Sequence, residues 1–506
     1  MKRLLCVALA VGVFAGRANA QEKRGFDALS AALVLEKTLV KTIATAEPSL
    51  VSIARIKWAG RKPRKPADFF GPIEPDRDDP TSPDFTPNEF GSGIIVAPLE
   101  KSDERFILTN YHVVKGGPVD KAAAGKSDSR LYVRLSNRRG FFARIIAADP
   151  RSDLAVLRID YKALKMKPAE VKPLKFAAGD TYRKGQLVIS LGNPYAQARD
   201  GSASASWGMI ANISRRPKPA GRGNGVEARK KETLHHLGTL LHVDTRLSIG
   251  TSGGALLNLK GELIGITTSL AALEGYESSV GYAIPFTADM RRIVRTLAKG
   301  LEVEYGYLGI SPQDVSPSQL AVLPGRLKHQ HGAMAVSVHP HSPAARGGVR
   351  PGDVILAVDG RPVFDRYDLM RMVGRRAPGS RIQLRIWRVE KLLTIKIDLG
   401  KWPVLNDEEI IATARRFPAW RGLSVDYPTA RHKFLQLPYR YHRAVVLLKV
   451  ENAALRKRSD LQPGDYVSHV DGTPVETPAQ FYAAVRERNG AVTLRLVGGE
   501  TVRVPK

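Results

Sequence analysis

Between residues 91 and 290 the chain reads as short apolar runs separated by turns. Gly93-Ile-Ile-Val-Ala97, Phe106-Ile-Leu-Thr109, Leu131-Tyr-Val-Arg-Leu135, Phe142-Ala-Arg-Ile-Ile146, Leu154-Ala-Val-Leu157, Leu187-Val-Ile-Ser-Leu191 and Leu263-Ile-Gly-Ile-Thr267 are the clearest. Short strands at this spacing predict barrels or a sandwich. Ser49 to Ile56 predicts a further strand. Ahead of it, Leu33, Leu35, Leu39, Val40 and Ile43 lie among charged positions, so residues 21–48 predict an amphipathic helical segment. Residues 59–90 are rich in Pro, Asp, Arg and Lys without periodicity, which predicts a long mobile loop holding the apolar island Asp68-Phe-Phe-Gly71. Arg215 to Lys231 is a second basic loop, read as a solvated hairpin tip.

The last two hundred residues contain an internal repeat. Val349-Arg-Pro-Gly-Asp-Val-Ile-Leu-Ala-Val-Asp-Gly-Arg-Pro-Val363 recurs as Leu461-Gln-Pro-Gly-Asp-Tyr-Val-Ser-His-Val-Asp-Gly-Thr-Pro-Val475, with Pro351 matching Pro463 and Gly360 matching Gly472. Each copy is a Pro-Gly-Asp turn, an apolar strand and an Asp-Gly turn into another strand. Helical patterns follow at Tyr367–Arg375 and Pro478–Arg488. Two small α+β modules are therefore expected, at 301–402 and, after a linker, within 403–506.

Composition narrows the setting. A chain of 506 residues exceeds one core and implies several domains. Lys2 and Arg3, the apolar run Leu4 to Gly16 and Ala18-Asn-Ala20 form a secretory signal over residues 1–20, cleaved or retained as an anchor. The only cysteine, Cys6, lies inside it, which excludes disulfides and thiol chemistry from the remainder. The net charge of +29 favours weak association with anionic envelope surfaces, and no nucleic-acid motif accompanies it.

The chemistry concentrates at Gly250-Thr-Ser-Gly-Gly254. Glycines permit a tight loop that exposes a serine and aims amides at a developing oxyanion. By itself this segment is equally a glycine-rich turn. Upstream, however, His112 lies in Leu108-Thr-Asn-Tyr-His-Val-Val114 and Asp153 in Asp149-Pro-Arg-Ser-Asp-Leu-Ala-Val-Leu157. The order His, Asp, Ser is that of the chymotrypsin arrangement. His235, His236, His242, His329, His331, His339 and His341 lack Cys or Glu partners at metal-ligand spacing, so they read as surface histidines, and neither metal nor cofactor is expected.

Together these segments, with Gly281-Tyr-Ala-Ile-Pro285, resemble the HtrA/Deg family of secreted serine proteases, and the repeats resemble PDZ domains. The resemblance implies a mainly β fold: a chymotrypsin-like double β-barrel over residues 49–300, then two α+β PDZ-like domains. It implies His112, Asp153 and Ser252 as a triad, and an oxyanion hole from Gly250, Thr251 and Ser252. Thr251 stands where the family usually has Asn. Leu247, Ser269 and Leu270 would line an apolar pocket for small aliphatic residues. Tyr307, Leu308, Gly309 and Ile310 would form the peptide-carboxylate loop of the first PDZ-like module, with Gly422, Leu423, Ser424 and Val425 as its counterpart in the second. The implied function is a periplasmic endopeptidase acting on unfolded or misfolded proteins. Its PDZ domains would take C-terminal peptides, and its subunits would form a homo-oligomer, a trimer or a multiple of one. The alternative is a catalytically weak or inactive PDZ scaffold or chaperone of the envelope.

Overall fold

The computed structural model describes residues 28–506 apart from 58–79, 81–84, 86, 88, 101, 118, 120–128, 194–201, 216–238, 249, 269–280, 317–330, 405–408, 435–440, 452–455 and 457–460. The leader, the Phe69-Phe70 island and the basic segment after Arg215 lie outside these residues. Helix α1 covers residues 28–46. Strand β1 (Leu50–Lys57) follows, then β2 (Glu89–Val96), β3 (Phe106–Thr109), helix α2 (Tyr111–Val114), β4 (Ser129–Leu135), β5 (Gly140–Asp149) and β6 (Leu154–Arg158). These six strands run β5-β4-β1-β2-β3-β6, and pairing of β5 with β6 closes them into a barrel. The polar segment expected to end at residue 90 stops earlier, because Glu89 and Phe90 pair with Arg55 and Ala54 as the start of β2.

A second closed barrel contains β7 (Leu187–Gly192), β8 (Ser204–Arg215), β9 (Thr239–Val243), β10 (Ala255–Leu257), β11 (Leu263–Thr268) and β12 (Gly281–Pro285). Helix α3 (Ala288–Ala298) closes this body, its N-terminus capped by the Thr287 hydroxyl. Strand β2 explains why the sequence runs apolar without alternation. Ile95 faces the interior of the first barrel with Ile53, Ile107 and Val133, whereas Ile94 and Val96 face the core shared with Leu191, Leu257 and Phe286 of the second. Burial on both faces packs the barrels into one body.

The first module has β13 (Gly306–Tyr307), β14 (Ile310–Asp314), β15 (Ala333–Val338), β16 (Val354–Val358), β17 (Arg361–Pro362), helix α4 (Arg366–Gly374), β18 (Arg381–Arg388), β19 (Lys391–Asp398) and β20 (Gly400–Lys401). Between the modules, β21 (Ile411–Ala412) leaves the linker to pair with β5 of the first barrel. The second module has β22 (Leu423–Asp426), β23 (Val445–Val450), β24 (Tyr466–Val470), β25 (Thr473–Pro474), helix α5 (Pro478–Val485), β26 (Val492–Leu496) and β27 (Thr501–Val504). Its order β22-β23-β24-β26-β27 mirrors β14-β15-β16-β18-β19. The repeated Asp-Gly pairs are the hairpin turns expected of them: φ is positive at Asp359 (48°), Gly360 (76°), Asp471 (45°) and Gly472 (80°).

A buried ionic junction joins these parts. Lys401 Nζ lies 2.9 Å from Asp426 of β22, 3.3 Å from Glu302 and 3.6 Å from Glu304. Burial opposes the Lys401 charge, but the three carboxylates outweigh it and hold its pKa above the ordinary lysine value.

Candidate active site

His112 is placed by α2, a single turn that follows β3 after Asn110. The turn is pinned to Asp153 four times. Asn110 Nδ2 and the Tyr111 N–H donate to the Asp153 carbonyl, each at 3.0 Å. The His112 N–H donates to Asp153 Oδ1 at 3.1 Å, and His112 Nδ1 lies 3.0 and 2.9 Å from the two carboxylate oxygens. Asp153 has φ +52°, a left-handed conformation that aspartate tolerates better than most residues. The Asp153 carboxylate is nearly excluded from water, whereas the imidazole stays 22 % exposed. His112 Nε2, the ring atom away from the carboxylate, is buried without a hydrogen bond among the described residues. An imidazole held by Nδ1 with Nε2 uncommitted is arranged to exchange a proton there.

The Gly250–Gly254 turn precedes β10 of the other barrel and is tied to β2. Ser92 is the hub. Its N–H donates to the Ser252 carbonyl at 2.8 Å, its hydroxyl to the Gly250 carbonyl at 2.8 Å, and that hydroxyl accepts the Asn193 N–H at 2.9 Å. The Ser92 carbonyl accepts the Thr109 hydroxyl at 2.7 Å, so the same strand anchors the segment leading to His112. Gly91 lies between the two halves. A Cβ there would meet Val113, the residue after His112, at 2.6 Å and the Ser252 carbonyl at 3.2 Å. The helix carrying the histidine and the turn carrying the serine thus converge on one stretch of backbone.

Within the turn, the Thr251 N–H and hydroxyl both donate to the Ser248 carbonyl, at 3.1 and 2.7 Å. The Thr251 carbonyl accepts the Gly254 N–H at 3.0 Å and the Thr267 hydroxyl at 2.6 Å. The Thr251 amide is therefore directed into the turn, and of the three expected oxyanion residues Thr251 contributes shape, not its own N–H. Leu247 is half-buried against β12, where a Cβ on Gly281 would sit 2.4 Å from its Cδ1. Ser269 and Leu270 lie outside the described residues.

The two carboxylate loops need a different alignment from the constant repeat offset. In the first module Tyr307 and Leu308 are buried, and the Gly309 carbonyl accepts the His339 N–H at 2.9 Å. In the second, the equivalent bond runs from the Glu451 N–H to the Gly422 carbonyl at 2.7 Å. Ile310 pairs with Val338, and Leu423 pairs with Val450. Ile310 thus corresponds to Leu423, and the counterpart of Tyr307–Ile310 is Trp420–Leu423, two residues earlier than Gly422–Val425. The loops therefore match one residue later than the constant strand offset would place them.

This register makes Pro312 of the first module equivalent to Val425 of the second. Pro312 has no N–H to offer from edge strand β14. The Val425 N–H on edge strand β22 donates to the Tyr482 hydroxyl of α5 at 3.4 Å, and Phe417 of the linker stacks on Tyr482 at 4.7 Å. Arg421 donates to the carbonyls of Arg488, Gly490, Val504 and Pro505.

The histidines also differ from a plain surface reading. His242 stacks on Tyr282 at 5.4 Å, and His339 Nδ1 lies 2.6 Å from the Tyr307 hydroxyl at the junction of the modules. No group of three or more metal-ligating side chains occurs among the described residues.

A family model described as a trypsin-like peptidase domain matches residues 91–266, and one described as a PDZ domain matches residues 306–399. A probable periplasmic serine endoprotease DegP-like of Pseudomonas fulva is 29 % identical over 419 residues, covering 80 % of this chain and 76 % of its own length. The periplasmic serine endoprotease DegP of Salmonella typhimurium is 29 % identical over 411 residues, covering 81 % and 74 %. Among solved structures, that titled HtrA-type protease AlgW with tripeptide covers 72 % of this chain and 98 % of its own, at 24 % identity and a TM-score of 0.49.

Proposed function

We propose that the chain is a periplasmic endopeptidase of the HtrA/Deg type acting through Ser252, His112 and Asp153, a reading supported by the trypsin-like peptidase and PDZ family models and the DegP relatives that it matches. The observation that carries this reading is the four-point grip of Asp153 on the His112 turn, set beside a serine turn tied to the same strand.

Ser252 Oγ attacks the scissile carbonyl as its proton passes to His112 Nε2, and His112 returns that proton to the leaving amine. Asp153 fixes the tautomer with the proton on Nδ1 and stabilises the imidazolium. The N–H groups of Gly250 and Ser252 receive the oxyanion, and loss of one such donor costs about 3 kcal/mol of barrier. Water then resolves the acyl-enzyme by the same proton path. Leu247 supports a preference for small aliphatic side chains before the cut.

Unfolded or misfolded proteins are the proposed substrates, since an extended chain can enter a groove that a folded one cannot. The first module takes C-terminal peptides along β14, the free edge of its sheet. In the second the matching edge is β22, where Tyr482 competes with a peptide for the Val425 N–H. Assembly into trimers or multiples of them belongs to the same reading, as does removal of residues 1–20 on export.

A serine-reactive fluorophosphonate tests the centre. The wild-type chain labels at Ser252 and cleaves casein, while Ser252→Ala does neither and keeps its fold by circular dichroism. An unlabelled wild-type chain that still binds C-terminal peptides would instead favour the scaffold reading.

A further inference from the structure

The turn that presents Asp153 is built around a second, fully buried carboxylate, Asp149. Asp149 Oδ1 accepts the Arg151 Nε–H at 2.7 Å. Asp149 Oδ2 accepts the Ser152 N–H at 3.2 Å, the Ser152 hydroxyl at 2.9 Å and the Tyr305 hydroxyl. The last donor does not come from the barrel. Tyr305 lies just before β13, and its carbonyl accepts the Trp402 N–H at 2.7 Å, which ties it to the end of the first module. Its ring lies 4.7 Å from the Arg151 guanidinium, whose NH2 donates to the Val303 carbonyl at 2.7 Å.

We infer that Asp149 and Tyr305 are positioning residues for the triad, an inference that rests on the protease reading above. Asp153 adopts φ +52°, and a residue held in that region persists only where its surroundings over-determine it. Asp149 supplies that constraint from within the turn. By gripping both the N–H and the hydroxyl of Ser152, it fixes the peptide that leads into Asp153. The Asp153 carbonyl can then meet Asn110 and Tyr111 while its carboxylate meets His112. Tyr305 orients Asp149 in turn, so the geometry of the His112–Asp153 pair depends on a hydroxyl delivered by the segment entering the PDZ module.

A buried ion pair between Asp149 and Arg151 could stabilise the fold without touching catalysis, and the two roles separate experimentally. Tyr305→Phe keeps the ring and removes the hydroxyl. In the full-length chain it is expected to lower kcat about tenfold, a fraction of the roughly 10⁴-fold cost of a misoriented triad histidine. KM should stay within about twofold, because the substrate contacts are intact. The low-field proton resonance of the His112 Nδ1–H should broaden or move. A purely structural role would lower the thermal midpoint while leaving kcat of the folded protein and that resonance unchanged. Asp149→Asn should be slower still, and adding Tyr305→Phe to it should cost little more, because both act through one group. Tyr305→Phe with wild-type kcat and an unmoved resonance would overturn the inference. A wild-type chain that fails to label at Ser252 would overturn the protease reading instead.

Discussion

Gly253→Ala probes the serine turn most directly. Gly253 has φ +84°, and an added Cβ would stand 2.1 Å from the Ser92 carbonyl oxygen and 2.5 Å from the Thr109 hydroxyl. An L-residue in the left-handed region costs about 1–2 kcal/mol. The contact cannot be relieved by a side-chain rotation, because one partner is backbone. The turn must retreat from β2, which weakens the Ser92–Ser252 and Thr109–Ser92 hydrogen bonds, each contributing about 0.5–1.5 kcal/mol. Together these give roughly 2–5 kcal/mol of local destabilisation. The catalytic consequence is larger than the thermal one. A displacement of about 1 Å between reacting groups costs on the order of 10²-fold in rate, and the retreat is of that size. Fluorophosphonate labelling kinetics and kcat/KM on a peptide read the rate, and differential scanning calorimetry reads the fold. The expected result is labelling slowed by about two orders of magnitude in a chain that still melts cooperatively. A Gly253→Ala chain that labels at the wild-type rate would refute the claim that the Ser92 contacts set the nucleophile.

Other consequences are as concrete. Lys401→Met leaves Asp426, Glu302 and Glu304 without their shared cation, a loss of about 3–5 kcal/mol for a broken buried pair; limited proteolysis should then release the second module faster, and unchanged proteolysis would count against the junction. Burial lowers the pKa values of His339, His432 and His442, with the neighbouring His432 adding to the effect at His339, and His341 and Arg431 at His442. Their contribution is present above the unfolded value of about 6.5 and is lost as pH falls below it, so the thermal midpoint of the PDZ pair should drop between neutral and mildly acidic pH, and a flat profile would contradict this. Tyr482→Phe releases the Val425 N–H while keeping the stack on Phe417, and fluorescence anisotropy should show C-terminal peptides binding the second module more tightly.

The parts of the site that sit in local motifs were legible in the sequence. His112, Asp153 and Ser252 each lie in a short segment whose composition is itself a signal, while the strand spacing left barrels and a sandwich both open and the double barrel came from the family resemblance. The supports were not legible. Ser92 lies in an ordinary strand sequence, and nothing local reveals that it binds Gly250 and Ser252 across the barrel interface. Asp149 reads as a turn residue before Pro150; only tertiary packing brings Tyr305 to it. A weak signal existed in the density of polar residues between Asp149 and Asp153 next to fully apolar strands. The carboxylate loop of the second module failed for another reason. The repeat is constant in its strands, but loop length is not under the same packing constraint, so Gly422 corresponds to Gly309 and the shift became visible only through hydrogen-bond register.

The same distinction bears on how the two modules differ in use. Their strands share an order because each buries one face of the same small sheet, and that burial tolerates little change. The groove edge buries nothing until a peptide arrives, so its backbone donors can be altered without cost to the fold. Pro312 removes one donor outright, and Tyr482 occupies the equivalent donor at Val425. A strand-adding peptide would therefore meet a missing hydrogen bond in the first module and a competed one in the second. Both changes shift recognition away from the backbone ladder and toward the carboxylate loop and side-chain pockets. The Tyr307–Ile310 loop, with Tyr307 bonded to His339 and, across the module junction, to Tyr441, is then where a bound peptide would meet the packing of the modules.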